Sequence, residues 1–162
     1  PGVANECGLV QSPRTLPAPG QRHLSSMSPT IVLEGSESGG GNEQRVALVA
    51  GGSGGPRIIS GTLLSALNCL LFDMSAAEAL ASPRFHHQWL PDVLQMEKAL
   101  LESPAAAELR TRGHDVKLRA LIGTVQLIRG VPAGADPKAG GSHAWAWQAA
   151  SDPRKGGVAV EE

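Results

Sequence analysis

The chain has no tyrosine, only two phenylalanines and three tryptophans, and only two cysteines in 162 residues. Two cysteines in a chain this long exclude a disulfide framework. Charge of one sign is also missing. The net charge is −1, which argues against a nucleic-acid binder relying on a broad basic field. No apolar run approaches the roughly 18 residues of a membrane-spanning helix. The first residues lack the charged, apolar and small-residue pattern of a secretory signal, and the chain opens on Pro1 rather than Met. Its compartment is not readable from that. What remains is a globular composition, 41% hydrophobic and 18% charged. Glycine (20) and proline (12) together make about 20% of the chain, below the roughly 25–30% of low-complexity chains. The length suits about one domain, and no internal repeat is present.

Residues 1–29 read as loop, because Pro and Gly interrupt every period. Thr30-Ile31-Val32-Leu33 and residues 45–50 read as strands joined by a polar Gly/Ser turn, a hairpin with a long loop. Both runs are nearly continuous in apolar residues, which predicts strands covered on both faces. Ile59, Leu63, Ala66, Leu67, Leu70, Leu71 and Met74 recur at helical spacing, with Pro56 as the first helical residue. Ser75-Ala76-Ala77-Glu78 fits a capping box for a second helix that Pro83 ends. Residues 84–92 read as an irregular connection. Ser103-Pro104 opens a third helix that Gly113 stops. Val116 and Leu118, residues 124–128 and residues 144–149 read as further strands, with a Gly/Pro/Ala loop at 130–142. Strands and helices are segregated, so the fold class is α+β with mostly antiparallel sheets and flanking helices.

Chemistry concentrates in few places. Gly51-Gly52-Ser53-Gly54-Gly55-Pro56 lies between a strand and a helix, where backbone N–H groups meet the positive end of the helix dipole. Three readings stand on the residues alone: a phosphate cradle, weakened by the absence of Gly-Lys-Ser/Thr; an oxyanion hole; or a tight turn that only permits close packing. Ser25-Ser26-Met27-Ser28-Pro29-Thr30 offers hydroxyls suited to a carboxylate, or a simple turn. His86 and His87 invite a metal reading. Adjacent side chains on an extended chain point to opposite faces, however, and no Cys/His/Asp set stands at matching spacing. Cys69 reads as a small buried hydrophobe. Trp145 and Trp147 read as core or sheet surface.

Taken in order, several stretches resemble the γ-glutamyltranspeptidase (γ-glutamyltransferase) family, specifically the C-terminal part of its small subunit. They are Pro1-Gly2-Val3-Ala4-Asn5, Gly8-Leu9-Val10, Leu24-Ser25-Ser26-Met27-Ser28-Pro29-Thr30-Ile31-Val32, Gly54-Gly55 with Arg57-Ile58-Ile59, Ala81-Ser82-Pro83-Arg84-Phe85-His86-His87-Gln88-Trp89-Leu90-Pro91-Asp92, Gly123-Thr124-Val125-Gln126, and Ala150-Ser151-Asp152-Pro153-Arg154. The resemblance implies an N-terminal-nucleophile hydrolase with an αββα sandwich, matured by self-cleavage into large and small subunits. It implies transfer of the γ-glutamyl group of glutathione and related amides, through a γ-glutamyl-threonine ester, to water or to amino acid and peptide acceptors. The backbone N–H groups of Gly54 and Gly55 match the oxyanion hole, and the hydroxyls of Ser25 and Ser26 match the pair holding the substrate carboxylate. No nucleophile, metal or cofactor site is implied within these residues, nor any nucleic-acid partner.

The implied partners are the large subunit and the N-terminal part of the small subunit. Residues 1–162 are therefore expected to form a single incomplete domain, 1–29 its lid segment, inactive and poorly soluble alone. Cys7 stands where many bacterial members carry an aromatic residue in the lid, and Pro56 replaces a common serine. By the same resemblance the protein is expected in the periplasm or secreted. The alternative is a stand-alone, non-catalytic module binding γ-glutamyl compounds or other carboxylates.

Overall fold

In the computed structural model, residues 3–5, 8–35, 44–132 and 145–160 are described. A four-stranded sheet carries the fold. It comprises β1 (Thr30–Gly35), β2 (Gln44–Ser53), β6 (Thr124–Pro132) and β7 (Trp145–Ser151), in the order β1-β2-β6-β7, all antiparallel. Between β2 and β6 the chain forms α1 (Arg57–Leu71), α2 (Ala76–Ala81), β3 (Phe85–His86), β4 (Leu94–Met96), α3 (Lys98–Leu101), α4 (Pro104–Thr111) and β5 (Val116–Leu118). The three short strands make a second sheet, β3-β4-β5, in which β4 and β5 run parallel. The α+β class read from the sequence holds.

The core follows from strand periodicity. Leu48 and Ala50 of β2 and Val125 and Leu127 of β6 bury themselves against Ala66 and Cys69 of α1 and Ala76, Ala79 and Leu80 of α2. Leu48 and Leu80 are fully enclosed, each contributing about 1.5–3 kcal/mol by burial. Burial also pushes the Cys69 thiol pKa up, so it behaves as the hydrophobe expected of it. The α2 capping box forms as the sequence predicts: the Glu78 amide donates to Ser75 Oγ at 3.3 Å and the Ser75 amide to Glu78 Oε2 at 2.9 Å.

Several expectations are corrected. Among the described residues, the first two strands are covered on one face only. Ile31, Leu33 and Val49 remain exposed, as do Ile128 and Trp147, because the helices of the described residues pack on the opposite face. Pro56 is the N-cap rather than the first helical residue. Its fixed φ suits either place. Met74 lies beyond the end of α1. Within residues 84–92 the two-residue strand β3 interrupts the irregular connection, and β4 and the one-turn α3 follow beyond it; elements of two to four residues are too short to show a period. β6 continues through Gly130 to Pro132, pairing with residues 145–147, where a loop was predicted from Gly130. The remainder of that loop, the hairpin loop at 36–43 and Cys7 lie outside the described residues.

Candidate active site

The geometry is set by where β1 starts and β2 ends. Thr30 pairs with Ala50 in antiparallel register. Ser26 stands four residues before Thr30 and Gly54 four residues after Ala50, so both motifs leave the same end of the β1–β2 pair. No hydrogen bond joins them among the described residues. Ser25 is exposed and Ser26 half-buried. The Met27 amide donates to Ser25 Oγ at 3.2 Å, and Ser28 Oγ donates to the Ser26 carbonyl at 3.2 Å. The serine segment is thus the local turn its composition allows, while the Ser26 hydroxyl has no partner among the described residues. A cleft of about 800 Å³ opens on the uncovered face of the large sheet, lined in part by Pro29, Gly51, Ser53, Gln126 and Lys155. It runs up to both motifs, but its lining stops short of the paired serines and of Gly54.

The glycine turn is fixed in place by its neighbours. Gly54 and Gly55 have φ of 130° and 64°, values L side chains rarely adopt. A β-carbon on Gly54 would lie 2.9 Å from the Gly123 α-carbon, and one on Gly123 would lie 2.9 Å from the Arg57 carbonyl oxygen. The turn and the strap at Gly123 therefore approach backbone to backbone. The Gly55 carbonyl accepts the Ile58 amide at 3.1 Å and starts α1. The Gly54 and Gly55 amides donate to nothing among the described residues. Two adjacent unsatisfied N–H groups at a helix N-terminus are a ready site for negative charge. The phosphate reading gains no basic side chain from the turn itself, as no lysine or arginine stands between residues 50 and 56.

Behind this turn sits a buried ionic cluster that residue reasoning missed. Arg84, 1% exposed, donates through Nη1 to Asp152 Oδ2 at 2.7 Å and to the Gly123 carbonyl at 3.2 Å, and through Nη2 to Ser65 Oγ at 3.2 Å. Asp152 also accepts the Val125 amide at 2.8 Å. Glu97 accepts the Arg84 amide at 3.0 Å, the Ile122 amide at 3.1 Å and Arg154 Nε at 2.7 Å. Burial pushes both carboxyl pKa values up, but the hydrogen bonds and the arginine charges outweigh it. Both carboxyls end below their ordinary range. The cluster holds residues 122–125, the strap on which Gly54 rests. Arg57, at the start of α1, is 8% exposed and donates Nε to Gln95 Oε1 at 2.9 Å. The one signal in the sequence was that Arg84 and Asp152 each stand beside a proline, Pro83 and Pro153, in two of the stretches that carry the family resemblance.

The histidine pair separates as the extended backbone predicts. His86 is buried, whereas His87 is at the surface with Nε2 3.0 Å from Asp92 Oδ1. No group of three His, Cys, Asp or Glu suited to a metal occurs among the described residues. Trp145 lies under the Arg45 guanidinium, 4.0 Å from ring centroid to Cζ, and Trp147 is on the open sheet face.

The mixed α+β fold, with antiparallel strands and helices on one face of the large sheet, is that of its solved structural neighbours, which are N-terminal-nucleophile hydrolases. The solved structures agree. A Helicobacter pylori gamma-glutamyltranspeptidase mutant superposes with a TM-score of 0.78 at 35% identity, covering 96% of this chain and 75% of that one. The Pseudomonas nitroreducens gamma-glutamyltranspeptidase complexed with L-DON gives 0.76 at 35% identity, covering 100% and 75%. The gamma-glutamyltranspeptidase family model matches residues 1–161. The glutathione hydrolase proenzyme of Escherichia coli K12 is 41% identical over 135 residues, 83% of this chain and 22% of its own length. That of Pseudomonas aeruginosa PAO1 is 36% identical over 163 aligned residues, 99% of this chain and 26% of its own. The chain belongs to the γ-glutamyltranspeptidase family, and it spans about a fifth to a quarter of the length of these curated relatives.

Proposed function

We propose that this chain is part of a γ-glutamyltransferase, also a glutathione hydrolase, and supplies two pieces of its active site. The first is an oxyanion hole made of the Gly54 and Gly55 amides. The second is a carboxylate grip made of the Ser25 and Ser26 hydroxyls. The observation carrying this reading is the pair of amides at the N-terminus of α1 that have no partner among the described residues. The threonine nucleophile comes from outside these residues, from the N-terminal part of the small subunit. Residues 1–162 form one incomplete domain that docks with that part and with the large subunit. The family's bacterial members suggest a periplasmic or secreted protein, which cell fractionation of the source organism tests.

In this mechanism the threonine hydroxyl gives up its proton to a base, its own α-amino group, and attacks the γ-carbonyl carbon of the substrate. The carbonyl oxygen becomes an oxyanion and receives the two N–H groups. Their alignment is fixed beforehand by the Gly54–Gly123 contact, so no reorganisation is needed as charge develops. The leaving amine takes a proton and departs. A γ-glutamyl ester remains, and water or an amino acid amine then attacks it. Ser25 and Ser26 act on the far end of the glutamyl group, where hydroxyls donate to its α-carboxylate. They bind ground state and transition state alike.

The test uses the full-length protein and a chromogenic γ-glutamyl anilide. Replacing Ser25 and Ser26 by Ala should lower kcat/KM by roughly ten- to a hundredfold per hydroxyl, since hydrogen bonds to a charged group contribute about 1.5–3 kcal/mol. Most of the change should appear in KM. Unchanged kinetics in the double variant would remove the serines from the site.

A further inference from the structure

One buried side chain is used by nothing described so far. His86, in β3, is 3% exposed, and both of its ring nitrogens are engaged. Ser60 Oγ lies 2.7 Å from Nδ1, and Gln88 Oε1 lies 2.9 Å from Nε2. The proton positions follow from the far end of this chain of bonds. Gln88 Nε2 donates to the Leu90 carbonyl at 3.0 Å, so the amide presents its oxygen to His86. Nε2 must then carry the ring proton, and Nδ1 is left as acceptor for the Ser60 hydroxyl. A single direction of donation therefore runs from Ser60 through His86 to Gln88 and on to the Leu90 carbonyl.

Both ends of this chain touch segments of interest. Ser60 lies in the first turn of α1, the helix that the Gly55 carbonyl starts by accepting the Ile58 amide. At the other end, a β-carbon on Gly8 would lie 2.6 Å from Pro91 Cδ and 3.6 Å from Gln88 Nε2, so the N-terminal loop rests against this bend. Asn5 and Ala4 hold residues 8–10 in place. The Gly8 amide donates to the Asn5 carbonyl at 2.8 Å, the Leu9 amide to Asn5 Oδ1 at 3.0 Å, and Ala4 bridges Val10.

We propose that Ser60, His86 and Gln88 form a positioning relay that couples the Gly54–Gly55 turn to residues 8–10, so that the contact of Gly8 with Gln88 and Pro91 stiffens the turn. None of the three touches substrate; they act through α1. The imidazole suits the task because only a neutral ring offers one donor and one acceptor at once. The groups around it keep it neutral: burial, the largest influence, lowers its pKa against the upward pull of the Gln88 hydrogen bond, and the Arg57 charge from α1 and the neighbouring His87 add smaller downward pushes. Gln95 stands opposite it in the β3–β4 register and is uncharged. The consequence for turnover rests on the oxyanion reading of Gly54–Gly55; the coupling itself does not.

Amide hydrogen exchange on the full-length protein, with kinetics in parallel, tests the relay. Ser60→Ala should raise exchange at residues 8–12 by about three- to tenfold, and Gln88→Leu should do the same at residues 54–60. The double variant should be no worse than the more affected single one, as expected for links in series. Ser60→Thr, which keeps the hydroxyl, should restore wild-type exchange. If each substitution loosens only its own side, or the two effects multiply, the relay is refuted. In the kinetic arm, Ser60→Ala should lower kcat several-fold at nearly constant KM. A wild-type protein that releases no γ-glutamyl group would defeat the proposed function, and the exchange data would still decide the relay.

Discussion

Asp152→Ala should destabilise the protein by about 3–5 kcal/mol, the cost of breaking a buried ion pair by removing one partner. The side chain is fully buried and satisfies four groups at once: the Arg84 and Arg154 guanidiniums, the Val125 amide and the Arg154 amide. Its loss strands a guanidinium that is 1% exposed and whose Nε already lacks a partner. In urea the unfolding midpoint of the full-length protein should fall by on the order of 1 M, and an unchanged midpoint would contradict the assignment. The acid side follows from the same cluster. The ordinary pKa values are 3.8 for Asp152 and 4.5 for Glu97, and both are lowered in the fold. The folded state therefore binds fewer protons than the unfolded chain. The stability these carboxylates contribute is fully present above about pH 4.5 and is lost as pH falls through the lower folded values.

His86 adds a second limb, since its folded pKa is depressed below 6.5. The unfolded chain takes up that proton first, so stability declines as pH falls below about 6.5 and levels out once the folded ring also protonates. A melting series from pH 7.5 to 5 should show this limb in the wild type and lose it in His86→Gln.

Gly54→Ala should cost about a hundred- to a thousandfold in kcat, the effect of losing one donor to an oxyanion, with KM little changed. Two causes combine. The backbone sits at φ of 130°, and the new methyl group would lie 2.9 Å from the Gly123 α-carbon. The turn must move, and its amides move with it. Gly35→Ala is the control: nothing lies within 4 Å of its added β-carbon, and activity should be unaffected. A Gly54→Ala enzyme with wild-type kcat would show that the turn only serves packing.

Much of the local structure was legible along the chain. The Ser75–Glu78 capping box, Gly113 after α4 and the helical spacing of α1 each depend on neighbours within a few residues, and each forms. The family words at Gly54-Gly55 and Ser25-Ser26 were legible for the same reason, as short contiguous strings. Two things were not. The continuous apolar runs of β1 and β2 implied cover on both faces, but the second cover does not come from the described residues, and a strand's pattern cannot say who supplies its partner. The Arg84–Glu97–Asp152–Arg154 cluster joins residues up to 70 positions apart; Arg84 and Asp152 are 68 apart. No period or spacing rule reaches that far.

By itself the sequence determined the α+β class, the helix limits near their caps, and membership of the γ-glutamyltranspeptidase family. These follow from local propensity and contiguous motifs, which act through near neighbours. Only the tertiary structure decided that the Gly54 and Gly55 amides find no partner among the described residues, that Gly123 braces them, and that His86 stands between α1 and the N-terminal residues. Those facts depend on which distant backbones meet, and packing settles that only once the sheet has closed.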